Sequence, residues 1–170
     1  MEDALKAEAA TAEEKQLTID SFFRRMATFL KENMLVLADT SLCLFSSADL
    51  VIKRRSGYIA QAVWLSIGYT TGATVGASFA YSDGPVVTFA GDGGFQMIPQ
   101  MLSTLARNKR SAIVFLLNNN IYGFEQFLVN KSYFTGTRKG PCHDWPSAVF
   151  VEVIIPSKDL PASLRATLPS

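Results

Sequence analysis

The amino-acid sequence predicts an α/β fold: an open, mainly parallel sheet with helices on both faces. Two observations predict it. Short apolar runs recur along the chain, and each ends in a polar or glycine-rich turn, as parallel strands buried on both faces do. Between them lie stretches whose apolar residues repeat at helical spacing, so that strands and helices alternate as in βαβ units. Ligands of such sheets sit beyond the carboxyl ends of the strands, which directs the search for chemistry to the turns there.

Residues 1 to 16 are rich in Ala, Glu and Lys without an apolar stripe, and read as a solvated tail or linker. Thr18 is an N-cap residue type, and Phe22, Met26, Phe29 and Leu30 follow at helical spacing until Asn33 offers a stop. Leu35 to Ala38 is an apolar run ending at Asp39-Thr40. Val86 to Ala90 runs into Gly91-Asp92-Gly93-Gly94, and Ala112 to Leu117 into Asn118-Asn119-Asn120. Between those two strands Ile98, Met101, Leu102 and Leu105 mark a helix, with Pro99 tolerable in its first turn and Asn108 near its end. Val149 to Ile155 reads as a last strand, so the domain spans 17 to 156 and a tail covers 157 to 170.

Composition sets limits on function. A chain of 170 residues, 48% apolar and 18% charged, has the balance of one globular domain, and a net charge of +1 gives no reason to expect a nucleic-acid partner. Lys53-Arg54-Arg55 reads as a solvated surface. Cys43 and Cys142 stand far apart and only one histidine is present, so neither a zinc site nor a disulfide framework is indicated, and a reducing cytoplasm is the expectation. The start Met1-Glu2-Asp3 lacks the basic opening of a secretory signal. No charge occurs between Arg55 and Asp83, and Gly68, Gly72 and Gly76 repeat at the four-residue spacing of close-packed membrane helices. Yet Gln61, Ser66, Thr70, Thr71, Thr74 and Ser78 dilute that stretch, and the same glycines suit a helix packed tightly on a sheet. A buried helix of a soluble protein is the reading, with no membrane partner.

Gly91-Asp92-Gly93 places a carboxylate at a strand end between two residues without side chains, where a phosphate or metal can approach the backbone. Alone, such a tripeptide is a turn. Asn118-Asn119 ends the next apolar strand, with Asn119 standing 27 positions after Asp92, a spacing that closes one βαβ unit. Across that unit a carboxylate oxygen, an amide oxygen and a main-chain carbonyl can join phosphate oxygens and water in the octahedron that magnesium demands. Either half alone reads as a turn or a helix cap.

A GDG followed by NN at this distance resembles the fingerprint of thiamine-diphosphate enzymes. Gly91 to Met97 further resembles the GDGxFQ segment of pyruvate and indolepyruvate decarboxylases, with Gly94 where they carry Ser or Ala. Arg24-Arg25 to Asn33, Ala38-Asp39-Thr40 and Ala48-Asp49-Leu50 also resemble the indolepyruvate decarboxylase pattern, so the similarity covers residues 17 to 135. The resemblance implies the thiamine-diphosphate-binding fold, with the cofactors thiamine diphosphate and Mg2+. It implies that Asp92 and Asn119 bind the metal through their side chains and Ile121 through its carbonyl. Gly91, Gly93 and Gly94 would bring backbone to the diphosphate, although a serine hydroxyl that often helps there is missing. Ile67 would stand beneath the cofactor and force its V shape, an intramolecular positioning effect, while the Leu65 carbonyl accepts a bond from the pyrimidine amino group. Read without the resemblance, Ile67 is an ordinary core residue. Thr40 falls where the family has a threonine near the pyrimidine, but Ser41-Leu42 replaces its Gly-Asp pair, which puts the pyrimidine contacts or the following helix in doubt. Tyr122 and Phe124 would line the cofactor and substrate pocket. Glu125 matches the glutamate that protonates intermediates, a task suited to a carboxyl group raised in pKa beside an apolar pocket; its bland alternative is a solvated helix carboxylate. His143 has no counterpart role, and Trp145 is a thin match.

In whole members of this family the glutamate that activates the pyrimidine comes from a separate domain, commonly across a subunit interface. The resemblance therefore implies a pyrimidine-binding domain or subunit as partner, an oligomer, and a 2-oxo acid substrate. Only about a dozen residues separate Thr137 from Phe150, so the sheet is expected to be shortened near the C-terminus, leaving an unpaired edge or apolar patch that favours association. Three functions compete: a 2-oxo acid decarboxylase component, a catalytically inactive cofactor-binding or regulatory module, and a ligase-type relative such as an acetolactate synthase.

Overall fold

The computed structural model describes residues 17 to 119 and the strand Phe150–Ile154. The first helix, α1 (Ile19–Phe29), begins at Thr18, whose hydroxyl accepts from the Ser21 N–H at 3.1 Å while the Thr18 N–H donates to Ser21 Oγ at 3.0 Å. This reciprocal box satisfies two backbone donors that a helix start leaves without intrahelical partners. Strand β1 (Leu35–Ala38) follows, then a short helix α2 (Leu42–Ser46) and a 3-10 turn (Ser47–Asp49). Next come β2 (Tyr58–Ala60), α3 (Tyr69–Ala80), β3 (Val86–Gly91), a one-turn helix α4 (Asp92–Phe95), α5 (Met101–Arg107), β4 (Ile113–Asn118) and β5 (Phe150–Ile154).

The strands form one sheet in the order β2-β1-β3-β4-β5. The first four are parallel and β5 runs antiparallel against β4, so the open, mainly parallel α/β sheet expected from the sequence is present. Successive side chains point to opposite faces of a strand, and each face collects its own helices. Val36, Val87, Phe89, Ile113, Phe115 and Leu117 meet Phe22, Phe23, Met26 and Leu30 of the α1 region on one face. Leu35, Leu37, Val86 and Ala112 meet Ala77 of α3 and Leu105 of α5 on the other. The first cluster is aromatic at its centre: Phe89 lies 5.1 Å from Phe23 and 5.8 Å from Phe22, both edge to face, and stacks on Phe115 at 5.7 Å. Edge-to-face and offset pairs add about 0.5–1.5 kcal/mol each beyond the area they bury.

Helix α3 packs on the sheet as read, but the repeated glycines Gly68, Gly72 and Gly76 are not what packs it: a side chain at Gly76 would meet open space and one at Gly72 only ordinary contact with Ile98, so that Gly68 alone of the three is tightly enclosed. The buried stripe is instead Thr70, Thr71, Thr74, Ala77 and Ser78. These hydroxyl-bearing residues tolerate burial because their hydrogen bonds are made. Thr74 Oγ1 donates to the Thr70 carbonyl at 2.7 Å and lies 2.6 Å from Thr88 Oγ1 on β3, while Ser78 Oγ donates to the Val75 carbonyl at 2.7 Å. Among the described residues no helix is long and apolar enough to cross a membrane.

The remaining differences are local. Strand β2 was not anticipated; it is short, half-buried and pairs with β1 alone. The helix expected around Ile98 starts at Met101, because Ile98, Pro99 and Gln100 form the turns that lead into it. Lys53 and Arg55 are exposed, as read, whereas Arg54 is half-buried and its Nη1 reaches both Asp83 Oδ2 and the Tyr81 hydroxyl at 2.7 Å. The segments 1 to 16 and 157 to 170, read as tails, lie outside the described residues.

Candidate functional site

The carboxyl ends of β1, β3 and β4 deliver the polar turns Asp39-Thr40, Gly91-Asp92-Gly93-Gly94 and Asn118-Asn119 to one edge of the sheet. Parallel pairing sets Ala38 against Phe89 and Gly91 against Leu117, so Asp92 and Asn119 leave the same ends of neighbouring strands. Helix α4, which begins with Asp92, contacts both β3 and β4.

Asp39 is 1% exposed, and a carboxylate removed from water in this way needs donors. Its Oδ1 accepts from Thr70 Oγ1 at 2.7 Å and from the Thr70 N–H at 3.4 Å, and its Oδ2 from the Gly68 N–H at 3.2 Å. The acid ending β1 thereby holds the turn that opens α3. That turn is left-handed at Gly68, with φ +82°, and a side chain there would also run into Met97 and the Gly94 carbonyl. Only glycine meets both conditions.

Several sequence-predicted residues meet at this point. Ile67 Cγ2 lies 3.4 Å from where a Gly94 Cβ would stand, so the 65–68 turn packs directly on the GDG turn. Thr40 is buried and its Oγ1 donates to the Ser66 carbonyl at 3.4 Å. Leu65 holds a left-handed φ of 52° and is 37% exposed. Gly91 leaves open space beside it, with Ser41 Oγ at 3.9 Å from a would-be Cβ, whereas a Cβ on Gly94 would collide with Asp39 Oδ2. Gly93 and Gly94 are buried. The backbone is thus bare at Gly91, where a ligand can approach the turn, while the space at Gly94 is taken by the Asp39 carboxylate.

Burial pushes the Cys43 thiol far above the ordinary cysteine range, and the charges of Asp39 and Asp92 act in the same direction. Two carboxylates, each just beyond the end of a separate strand, therefore raise one buried thiol. Among the described residues no group of three His, Cys, Asp or Glu side chains is placed to hold a metal ion. The expected magnesium set differs in kind, being one carboxylate, one amide and one main-chain carbonyl. Ile121, Tyr122, Phe124 and Glu125 lie outside the described residues, as do His143 and Trp145.

Residues 42 to 155 match the family model for the C-terminal TPP binding domain of thiamine pyrophosphate enzymes. The chain belongs to that family. Similar proteins include pyruvate decarboxylase 4 of Arabidopsis thaliana, 36% identical over 109 residues, which are 64% of this chain and 18% of that protein. Pyruvate decarboxylase isozyme 1 of Saccharomyces cerevisiae is 33% identical over 126 residues, 72% of this chain and 22% of the yeast protein. An alpha-keto-acid decarboxylase of Mycobacterium avium is 35% identical over 113 residues, 66% of this chain and 20% of the relative. The chain thus matches about a fifth of the length of these curated relatives.

Within this thiamine pyrophosphate-binding family the sequence reading missed a role for Asp39. A signal was available: an acidic residue directly ending a wholly apolar strand must find donors when it is buried. The doubt over Ser41-Leu42 resolves differently for each residue. Helix α2 forms from Leu42 onward, and Leu42 lines a cavity of about 560 Å³ with Phe23 and Leu50. Ser41 adopts φ 93°, ψ −141°, backbone territory that suits glycine, the residue expected there by resemblance.

Proposed function

We propose that the chain is the thiamine-diphosphate- and magnesium-binding domain of a 2-oxo acid decarboxylase, active together with a pyrimidine-binding domain or subunit. The observation that carries this reading is the adjacency of the GDG turn, the 65–68 turn and the Asn118-Asn119 turn at one end of a parallel sheet. In this reading Asp92 and Asn119 hold magnesium with the Ile121 carbonyl, and Gly93 and Gly94 direct N–H groups at the diphosphate. The Leu65 carbonyl and Thr40 face the aminopyrimidine, Ile67 supports the bend, and Tyr122 and Phe124 line the pocket. Glu125 carries the proton that completes aldehyde release. When bound, thiamine diphosphate supplies the electron sink that lets CO2 leave a 2-oxo acid.

A partner domain is supported by the surface beside the site. Val63 is 82% and Trp64 80% exposed, and Tyr69 and Met97 about half exposed, an apolar group around the turn that opens α3. Large apolar side chains grouped in this way mark protein contacts. The match to about a fifth of each relative points the same way, since the glutamate that activates the pyrimidine would come from outside these residues.

The test is calorimetric titration of the chain with thiamine diphosphate, with and without magnesium, followed by a pyruvate decarboxylation assay after adding a pyrimidine-binding domain. Metal-dependent binding is expected for the chain alone, and turnover only in the mixture. Binding without turnover in either state would instead support an inactive cofactor-binding module, and absence of metal-dependent binding would refute the proposal.

A further inference from the structure

We infer that Asp39 is a positioning residue that sets the register between the two halves of the cofactor site. The inference rests on the cofactor reading proposed above and deepens it. The 65–68 turn would carry the aminopyrimidine half through Leu65 and Ile67, and the GDG turn would carry the diphosphate half. These turns belong to different segments, and Asp39 touches both. One carboxylate oxygen receives the Gly68 N–H at 3.2 Å and stands where a Gly94 side chain would go. The other receives Thr70 Oγ1 at 2.7 Å and the Thr70 N–H at 3.4 Å.

The chemistry explains why an acid is needed. Three donors converge on one side chain, and an ionised carboxylate is acceptor-only, so both oxygens can take them. An amide of the same size presents an NH2 group to at least one of these donors. Asp39 directly follows β1, a wholly buried strand paired on both sides, so its backbone is anchored in the sheet. The left-handed Leu65 and Gly68 on either side of Ile67 show how closely this turn is specified. With Asp39 in place, Ile67 is pressed against Gly94; without it, the distance between the two half-sites is no longer fixed.

A merely structural acid and a positioning acid are separated by the ratio of two affinities. Magnesium pyrophosphate probes the diphosphate half alone, and thiamine diphosphate with magnesium probes both halves. For the full chain carrying Asp39→Asn, thiamine diphosphate binding is expected to weaken by at least ~10-fold while magnesium pyrophosphate binding stays within about twofold. Thr70→Val, which removes one donor and keeps the core volume, is expected to shift the ratio in the same direction by less, and it decides the matter if Asp39→Asn does not fold. Equal weakening of both ligands, or no change in either, overturns the inference. A wild-type chain that binds magnesium pyrophosphate but gains nothing from the thiamine half also overturns it while sparing the diphosphate site. Failure of the wild-type chain to bind either ligand sinks the cofactor reading itself.

Discussion

Replacing Ser41 by glycine should stabilise the protein, although it removes a side chain. Ser41 sits at φ 93°, ψ −141°, where Cβ crowds the backbone, and its hydroxyl makes no capping bond to α2. A non-glycine residue held in such a region costs about 1–3 kcal/mol. Glycine returns about 0.5–1 kcal/mol of that through the greater freedom of the unfolded chain. The expected net gain is therefore about 1 kcal/mol, which for a chain of this length raises the melting temperature by ~2–4 °C. With a urea slope of about 2 kcal/mol per molar, the midpoint should move up by ~0.5 M. Ser41→Ala is the control, since it retains Cβ and hence the strain, and it should leave the midpoint within ~0.2 M of the parent. Urea unfolding followed by circular dichroism measures all three proteins. A glycine variant less stable than the parent would refute the reasoning, and an alanine variant equally stabilised would show that the hydroxyl rather than the backbone is the source.

Gly94→Ala forces a methyl group onto Asp39 Oδ2 and should cost at least about 1–3 kcal/mol. In an Asp39→Ala background the same change should cost less, and a urea-based double-mutant cycle showing coupling below ~0.5 kcal/mol would contradict that contact. Cys43 predicts a pH dependence. Its thiol is raised in the folded state, so above about pH 8.5 the unfolded chain releases a proton that the native protein keeps. The native state binds more protons there, so stability is at its full value below that pH and falls by ~1.4 kcal/mol per pH unit above it from this group. Urea midpoints between pH 7 and 10 should decline more steeply for the parent than for Cys43→Ala; parallel slopes would show that the thiol is not held in its protonated form.

Where the chain repeats one residue class at one spacing, its structure was legible. The apolar runs at 35–38, 86–90 and 112–117 became β1, β3 and β4 with boundaries shifted by no more than one residue, because continuous burial on both faces requires such runs. Thr18 was legible as a cap because hydroxyl residues at that position satisfy exposed N–H groups. Strand β2 was not: three residues, half-buried, carry too little pattern to stand out from a loop. The partners of the buried hydroxyls of α3 were not legible either: Thr70 bonds Asp39 and Thr74 lies against Thr88, both more than ten positions away in the chain, while Ser78 bonds locally to the Val75 carbonyl. Resemblance singled out Asp92, Ile67 and Gly94, and the structure brings the turns that carry them to the same end of the sheet. Asp39 escaped because a pattern of spacings identifies which turns matter and says nothing about what ties them together.

Ser41 and Gly94 make sense together in these terms. By resemblance the first position carries glycine and the second serine or alanine; here the side chain stands at the first and is absent from the second. Both positions border the space around Asp39 and the GDG turn, with Ser41 Oγ 3.9 Å from a would-be Cβ at Gly91 and the Asp39 carboxylate filling the place of a Gly94 side chain. Gly94 leaves room for the acid that anchors the 65–68 turn, so the contact that depends on this exchange is also one that shapes the site. Ser41, by contrast, takes on backbone strain without a bond at the helix start, so its stability cost is not recovered locally. The two departures therefore differ in kind: restoring glycine at 41 relieves the fold, whereas restoring a side chain at 94 displaces the acid on which the geometry of the site depends.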